Sequence, residues 1–301
     1  MGDRTTHRLQ VLGAALLFST GGAAIKATEL NAWQVAGFRS AVAAVAIFLL
    51  VPAARRGWTW HVVPVGIAYA ATLTLFVTAN KLTTSANAIF LQSTAPLHML
   101  VLGPLLLKEL VRRRDVAFMA PVALGLLLFF VGAETPATQT ATNPALGNVL
   151  ATLSGITWAL TLVGLRWLGN RAGGEGSALP TVVAGNVIAF LACAPAAFPV
   201  AGVGTGDWMA VAYLGVFQIG AAYLLLTAGI RHVPALEASV LLLLEPALNP
   251  VWSWLVHGET PGAWSIAGGA LILGATVLRT AVDARAERRA SGSVQEKVAA
   301  E

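Results

Sequence analysis

Residues 79–88, Ala79-Asn-Lys-Leu-Thr-Thr-Ser-Ala-Asn-Ala88, and residues 229–238, Gly229-Ile-Arg-His-Val-Pro-Ala-Leu-Glu-Ala238, align at an offset of 150. Lys81 falls on Arg231 and Ala88 on Ala238, and the same offset carries Pro96 onto Pro246 and Glu109 onto Glu259. Anchors of this chemical variety holding one spacing are read as an internal repeat, against the alternative of chance likeness between apolar segments.

The sequence around these stretches is too apolar for a soluble surface. Of 301 residues, 56% are hydrophobic and 11% charged, where soluble domains carry about 25% charged residues. A spanning helix needs about 20 apolar residues, so ten of them leave room only for short connections. Hydropathy places helices at about 9–28, 33–53, 62–80, 85–107, 116–133, 146–168, 178–200, 208–230, 236–257 and 262–281. Breaks fall at Arg55-Arg56-Gly57, at Arg112 to Asp115, in the Thr-rich stretch from Thr135 to Pro144, at Gly173 to Gly176 and at Gly202 to Asp207. The first apolar run, behind Arg4 and Arg8, has the form of a signal peptide. It is assigned as a retained helix because the second half has a counterpart to it.

The net charge of +5 does not mark a nucleic-acid partner, since the basic residues lie in small clusters between apolar runs rather than on one face. They report orientation instead. With ten helices and both termini cytoplasmic, 16 Lys and Arg residues fall inside, only Lys26 and Lys81 fall outside, and Arg39 lies within a helix. That is the positive-inside pattern. Five helices per half is an odd number, so the two copies must run in opposite senses through the membrane.

The expected fold is therefore an all-α polytopic membrane protein of ten transmembrane helices in a 5+5 inverted repeat. The first repeat covers 1–135, the second 146–281, and 282–301 form a cytoplasmic tail. Such repeats place a site at their interface near the midplane and alternate its access by rocking one half on the other. Cys193 is the only cysteine, which excludes an intrachain disulfide and a multi-thiolate metal site. Gly202-Val-Gly-Thr-Gly206 has no strand before it and reads as a turn rather than a nucleotide loop. No cofactor and no metal are expected.

Two segments carry a further likeness. One runs from Ala86-Asn-Ala-Ile-Phe-Leu-Gln-Ser-Thr-Ala-Pro96 to Lys108-Glu109. The other runs from Ala235-Leu-Glu-Ala-Ser-Val-Leu-Leu-Leu-Leu-Glu-Pro246 to Gly258-Glu259 and a Gly-rich final helix. The chain resembles the EamA family of the drug/metabolite transporter superfamily over nearly its whole length. The resemblance implies ten helices in two inverted halves and export of amino acids or other metabolites across a bacterial inner membrane. The solute itself is not implied, because substrates vary widely within the family.

Polar groups in mid-membrane are costly unless paired or wetted, so each is a functional candidate. Glu245 aligns with Ala95, so the repeat does not demand a carboxylate there. It could hold a substrate amine or carry a proton, or it could brace carbonyls freed by Pro246. Asn249 and Trp252 follow at i+4 and i+7 and share its helical stripe. In the fourth helix Asn87, Thr94 and His98 form a second stripe, with His98 either a proton relay or an interhelical hydrogen-bond partner. Gln92 points elsewhere in that helix, toward packing. Ser154 and Trp158 share a face of the sixth helix with Thr161, and Trp158 sits far from either interface. It lines a cavity or packs the core. Gln218 is a midplane candidate in the eighth helix. Arg39 could take a substrate carboxylate, or could snorkel or brace backbone carbonyls.

The functional expectation is a non-enzymatic exporter or exchanger of a small-molecule solute. Proton coupling and a homodimer are further expectations, and the glycines of the fifth and tenth helices pack either the two halves or that dimer. A lipid-metabolising membrane enzyme and a non-transporting scaffold are the alternatives. The carboxylates Asp115, Asp207 and Asp283 are scattered, whereas phosphate or acyl chemistry needs them clustered.

Overall fold

The structure is a computed structural model that describes residues 2–83, 85–132, 142–170, 178–257, 263–264, 266–275, 277–278 and 282. Among these residues all regular structure is helical. The helices are α1 (Thr5–Lys26), α2 (Ala32–Leu50), α3 (Val62–Leu82), α4 (Ala88–Leu107), α5 (Arg113–Gly132), α6 (Pro144–Gly169), α7 (Ala178–Ala197), α8 (Thr205–Ile230), α9 (Ala235–Val256) and α10 (Ile266–Ala275). All except α5 and α10 are long and apolar enough to cross a membrane, and those two contain the shorter apolar stretches Asp115–Gly125 and Ile266–Ala275. Asn87 has no described side chain, and Glu259 and the tail after 282 lie outside the described residues.

Local chemistry sets the ends. Asn31 accepts from the Gln34 backbone N–H at 2.9 Å while Gln34 Oε1 accepts from Asn31 N at 3.1 Å, a reciprocal cap that starts α2. Asn143 caps Leu146 N at 3.2 Å ahead of Pro144, which fits the first turn of α6 because its missing N–H would have no partner there.

Four helices are interrupted, where hydropathy alone predicts continuous spans. In α4 the chain turns at Ser93–Thr94, then widens over Gly103–Leu107 and ends on Lys108 at φ 56°. Pro96 and Pro104 lack the N–H that would bond the preceding turn. In α9 the turn falls at Leu242–Leu243, ahead of Pro246, and Glu245 N takes the Leu242 carbonyl at 3.0 Å. Thr20 interrupts α1, and α8 carries a wide π segment over Leu214–Ala221. Exposed carbonyls at such breaks are tolerated in a membrane only inside protein or beside a wet cavity.

Packing repeats under a shift of five helices. α3 lies on α6 as α8 lies on α1, α3 meets α7 as α8 meets α2, and α4 meets α6 as α9 meets α1, while the α2–α7 pair is its own image. Small residues allow the close approach. A Cβ on Gly185 would stand 3.0 Å from the Gly66 carbonyl, and one on Gly215 would stand 2.8 Å from the Arg39 carbonyl. Large apolar side chains such as Leu50, Leu105, Leu127, Leu191 and Met209 point outward, as a lipid-facing surface requires. The chain is a multi-pass membrane protein.

Candidate functional site

A cavity of about 30 Å³ lies where the interrupted helices meet. Its walls come from both halves: Phe18 of α1, Arg39 of α2, Thr72, Leu73 and Phe76 of α3, and Gln92 of α4 face Trp158 of α6, Gln218, Ile219 and Tyr223 of α8, and Glu245 of α9. The π segment of α8 carries Gln218, and Glu245 lies in the first turn of the second piece of α9. The breaks therefore bring polar groups to the centre.

Arg39 is 1% exposed. Its Nη1 donates to Gln218 Oε1 at 3.2 Å and Nη2 to the Leu73 carbonyl at 3.4 Å, while Nε is buried without a partner. These bonds are long, one at the upper limit of the normal range and one beyond it, so the guanidinium is only partly satisfied. It neither snorkels to an interface nor forms an ion pair with Glu245, whose half-buried carboxyl faces the same cavity. A collar of rings closes the space. Phe18 lies edge-on to Trp158 at 5.9 Å and to Tyr223 at 5.0 Å, and Tyr69 stands 4.6 Å from Tyr223. Asn186 Nδ2 donates to the Tyr69 hydroxyl at 2.9 Å.

Arg39, Trp158, Gln218 and Glu245 thus meet in one cavity, and several other candidates lie elsewhere. Asn249 and Trp252 do not continue the Glu245 stripe into it, because the second piece of α9 packs on α1 and directs that face there. Trp252 Nε1 donates to Ser19 Oγ at 2.8 Å, and Asn249 is buried against Gly22. Thr94 donates to the Leu91 carbonyl at 2.7 Å and sits 3.5 Å from His98 Nε2, both outside the cavity lining. Ser154 stands one bond behind the wall, accepting from Gln92 Nε2 at 2.8 Å and donating to the Thr72 carbonyl at 3.2 Å. Gln92 itself lines the cavity, contrary to the straight-helix projection, because the helix ends at that residue. Phe18 and Tyr223 carry no sequence signal, being aromatic residues in apolar helices.

A family model described as the EamA-like transporter family matches residues 8–131 and again residues 145–280. The chain belongs to the EamA-like transporter family. The two matched stretches of this EamA-like chain are the halves whose helices supply the two sides of the cavity. A search of curated proteins finds no match. Among solved structures, one titled "Crystal structure of protein" is similar with a TM-score of 0.74 at 20% identity, over 94% of this EamA-like chain and 99% of that chain. That likeness bears on the fold alone.

Proposed function

We propose that the protein is a secondary transporter, an exporter or exchanger of small metabolites such as amino acids, working by alternating access around the central cavity. The observation that carries this reading is the placement of Arg39 and Glu245 on the walls of one cavity between the halves, unpaired with each other. A solute bearing a carboxylate and an ammonium would satisfy both charges, and Phe18, Trp158 and Tyr223 would receive its apolar part. At about 30 Å³ the cavity admits only water-sized species. A metabolite therefore requires the halves to part, which is the motion inverted repeats permit.

The same reading takes α5 and α10 as spans, giving ten helices in two inverted five-helix halves, 1–135 and 146–281. The five-helix shift in the packing supports it. Both termini lie in the cytoplasm and the site is a cell inner membrane. In support, Arg8, Lys108, Arg112 and Arg166 gather at one end of the bundle with Arg231 beside Gly169. Glu245 is the group suited to exchanging a proton for solute.

The test is uptake of labelled amino acids into proteoliposomes with and without a pH gradient, comparing the unaltered chain with Glu245→Gln. Gradient-dependent uptake that the variant loses supports the reading. Uptake with no dependence on Glu245 removes that residue from the mechanism, and no uptake of any solute class counts against transport itself.

A further inference from the structure

Beyond the central cavity, α4 and α9 enclose a series of spaces. Gln92 and Glu245 line the central cavity. A second space of about 10 Å³ follows, lined by Ser93 and Pro96 of α4 with Ser239 and Leu242 of α9, and sharing Gln92 and Glu245 with the first. A third, about 640 Å³, is lined by Met99, Gly103 and Glu109 together with Pro234, Leu236 and Glu237. Residue numbers rise along α4 as they fall along α9, so the two helices form an antiparallel seam that leads from Glu245 to the arginine-rich end. The segments Ala95–Leu102 and Ala235–Leu241 pack directly on each other there, with Met99 and Leu241 of these segments fully buried.

Two ion pairs cross between the halves at this end. Glu109, at the end of α4, pairs with Arg166 of α6, and its second oxygen accepts from Ala235 N at 2.9 Å, at the first residue of α9. Arg166 Nη1 also donates to the carbonyls of Ile230 and Val233 at 2.7 Å each. Arg8 of α1 pairs with Glu237 of α9 at 2.6 Å, with both side chains less than a tenth exposed. Together the pairs hold the start of α9 against α1 and the end of α4. At the opposite end, contacts between the halves include the hydrogen bonds Glu29 N to Asp207 Oδ1 at 2.9 Å, Thr83 Oγ1 to Asn148 Oδ1 at 3.0 Å and Gln34 Nε2 to the Ala197 carbonyl at 3.2 Å.

We propose that the α4–α9 seam is the passage between the central cavity and the arginine-rich face, and that Glu109–Arg166 and Arg8–Glu237 are the two latches that keep it shut. The proposal rests on the transport reading above. Opening the passage separates Ala235–Leu241 from Ala95–Leu102, which requires Glu237 to leave Arg8 and Ala235 N to leave Glu109. The Gly103–Leu107 widening and the left-handed Lys108 put irregular backbone at the pivot of α4, where a small change in φ and ψ swings Glu109.

The experiment reads opening without any solute. Ser239→Cys, in the second space, is the reporter, with Leu242→Cys in the same space as its alternate. Cys193 is fully buried, and the chain without a reporter gives the background. Proteoliposomes of known orientation are treated with a membrane-impermeant thiosulfonate from one face, then the other. Glu237→Gln or Glu109→Gln is expected to speed labelling about tenfold from the arginine-rich face alone, since each removes one partner of an interface ion pair. Arg8→Glu combined with Glu237→Arg is expected to return the rate toward that of the unaltered chain. Unchanged labelling in single variants that elute and melt as folded protein overturns the proposal. An equal rise from both faces also overturns it, since that is what general loosening of the bundle gives. Failure of the transport reading would appear in solute uptake and leaves these rates unaffected.

Discussion

Arg39 donates to the Gln218 side chain at 3.2 Å, tying the middle of α2 to the π segment of α8. Among the described residues Gln218 is the one side-chain acceptor of this buried guanidinium. Gln218→Leu leaves the charge with a single long backbone bond, and the expected cost is about 1–3 kcal/mol of stability. Gln218→Glu supplies a counter-ion and is expected to melt above Gln218→Leu. It also neutralises the charge offered to a solute, so uptake should fall in both. Thermal unfolding in detergent and proteoliposome uptake read the two effects, and equal melting of the variants would argue that Arg39 does not depend on this contact.

Close packing of α3 on α7 rests on Gly185. A Cβ there would lie 2.5 Å from Tyr69 Cδ1 and 3.0 Å from the Gly66 carbonyl, and the Tyr69 ring is held in place by Asn186. Gly185→Ala is therefore expected to destabilise the protein by about 1–3 kcal/mol. Gly206→Ala meets nothing within 4 Å and is expected to stay within about 0.5 kcal/mol. Comparable melting temperatures for the two would contradict the packing argument.

The helices and the repeat are legible in the sequence because a bilayer forces every backbone group into internal bonds, so each span is a long apolar window. Arg39, Trp158, Gln218 and Glu245 are legible because polar or bulky groups stand out against that background. Projection onto a straight helix misplaces Gln92, Asn249 and Trp252, since the turns at Ser93–Thr94 and Leu242–Leu243 redirect the faces beyond them. Arg8 and Glu237 are 229 positions apart, and no local pattern announces a pair formed only by the packing of α1 on α9.

Pro246 sets the break in α9. Its missing N–H leaves the Leu242 carbonyl to Glu245 N, which presents the carboxyl to the cavity. Pro246→Ala restores a donor and favours a continuous helix, so the variant is expected to melt no lower than the unaltered chain. Its transport rate should fall, because the carboxyl turns away from Arg39 and the passage loses its hinge. A variant that melts higher and transports at full rate would show that the break serves no purpose in the cycle.

The two mid-membrane tryptophans are expected to separate cleanly. Trp252 Nε1 donates to Ser19 Oγ at 2.8 Å and does not line the cavity, whereas Trp158 does. Trp252→Phe should lower stability by about 1 kcal/mol. Ser19→Ala also loses the bond that Ser19 Oγ donates to the Leu16 carbonyl at 2.6 Å, and the double variant should cost little more than Ser19→Ala alone, since the Trp252 bond is already lost there. None should change the KM for a transported solute. Trp158→Phe should shift KM, and shift it most for solutes with an aromatic part, because it alters the wall such a solute touches. If Trp252→Phe changed solute preference as strongly as Trp158→Phe, the cavity would have to extend along α9 toward α1, and Asn249 would join its lining.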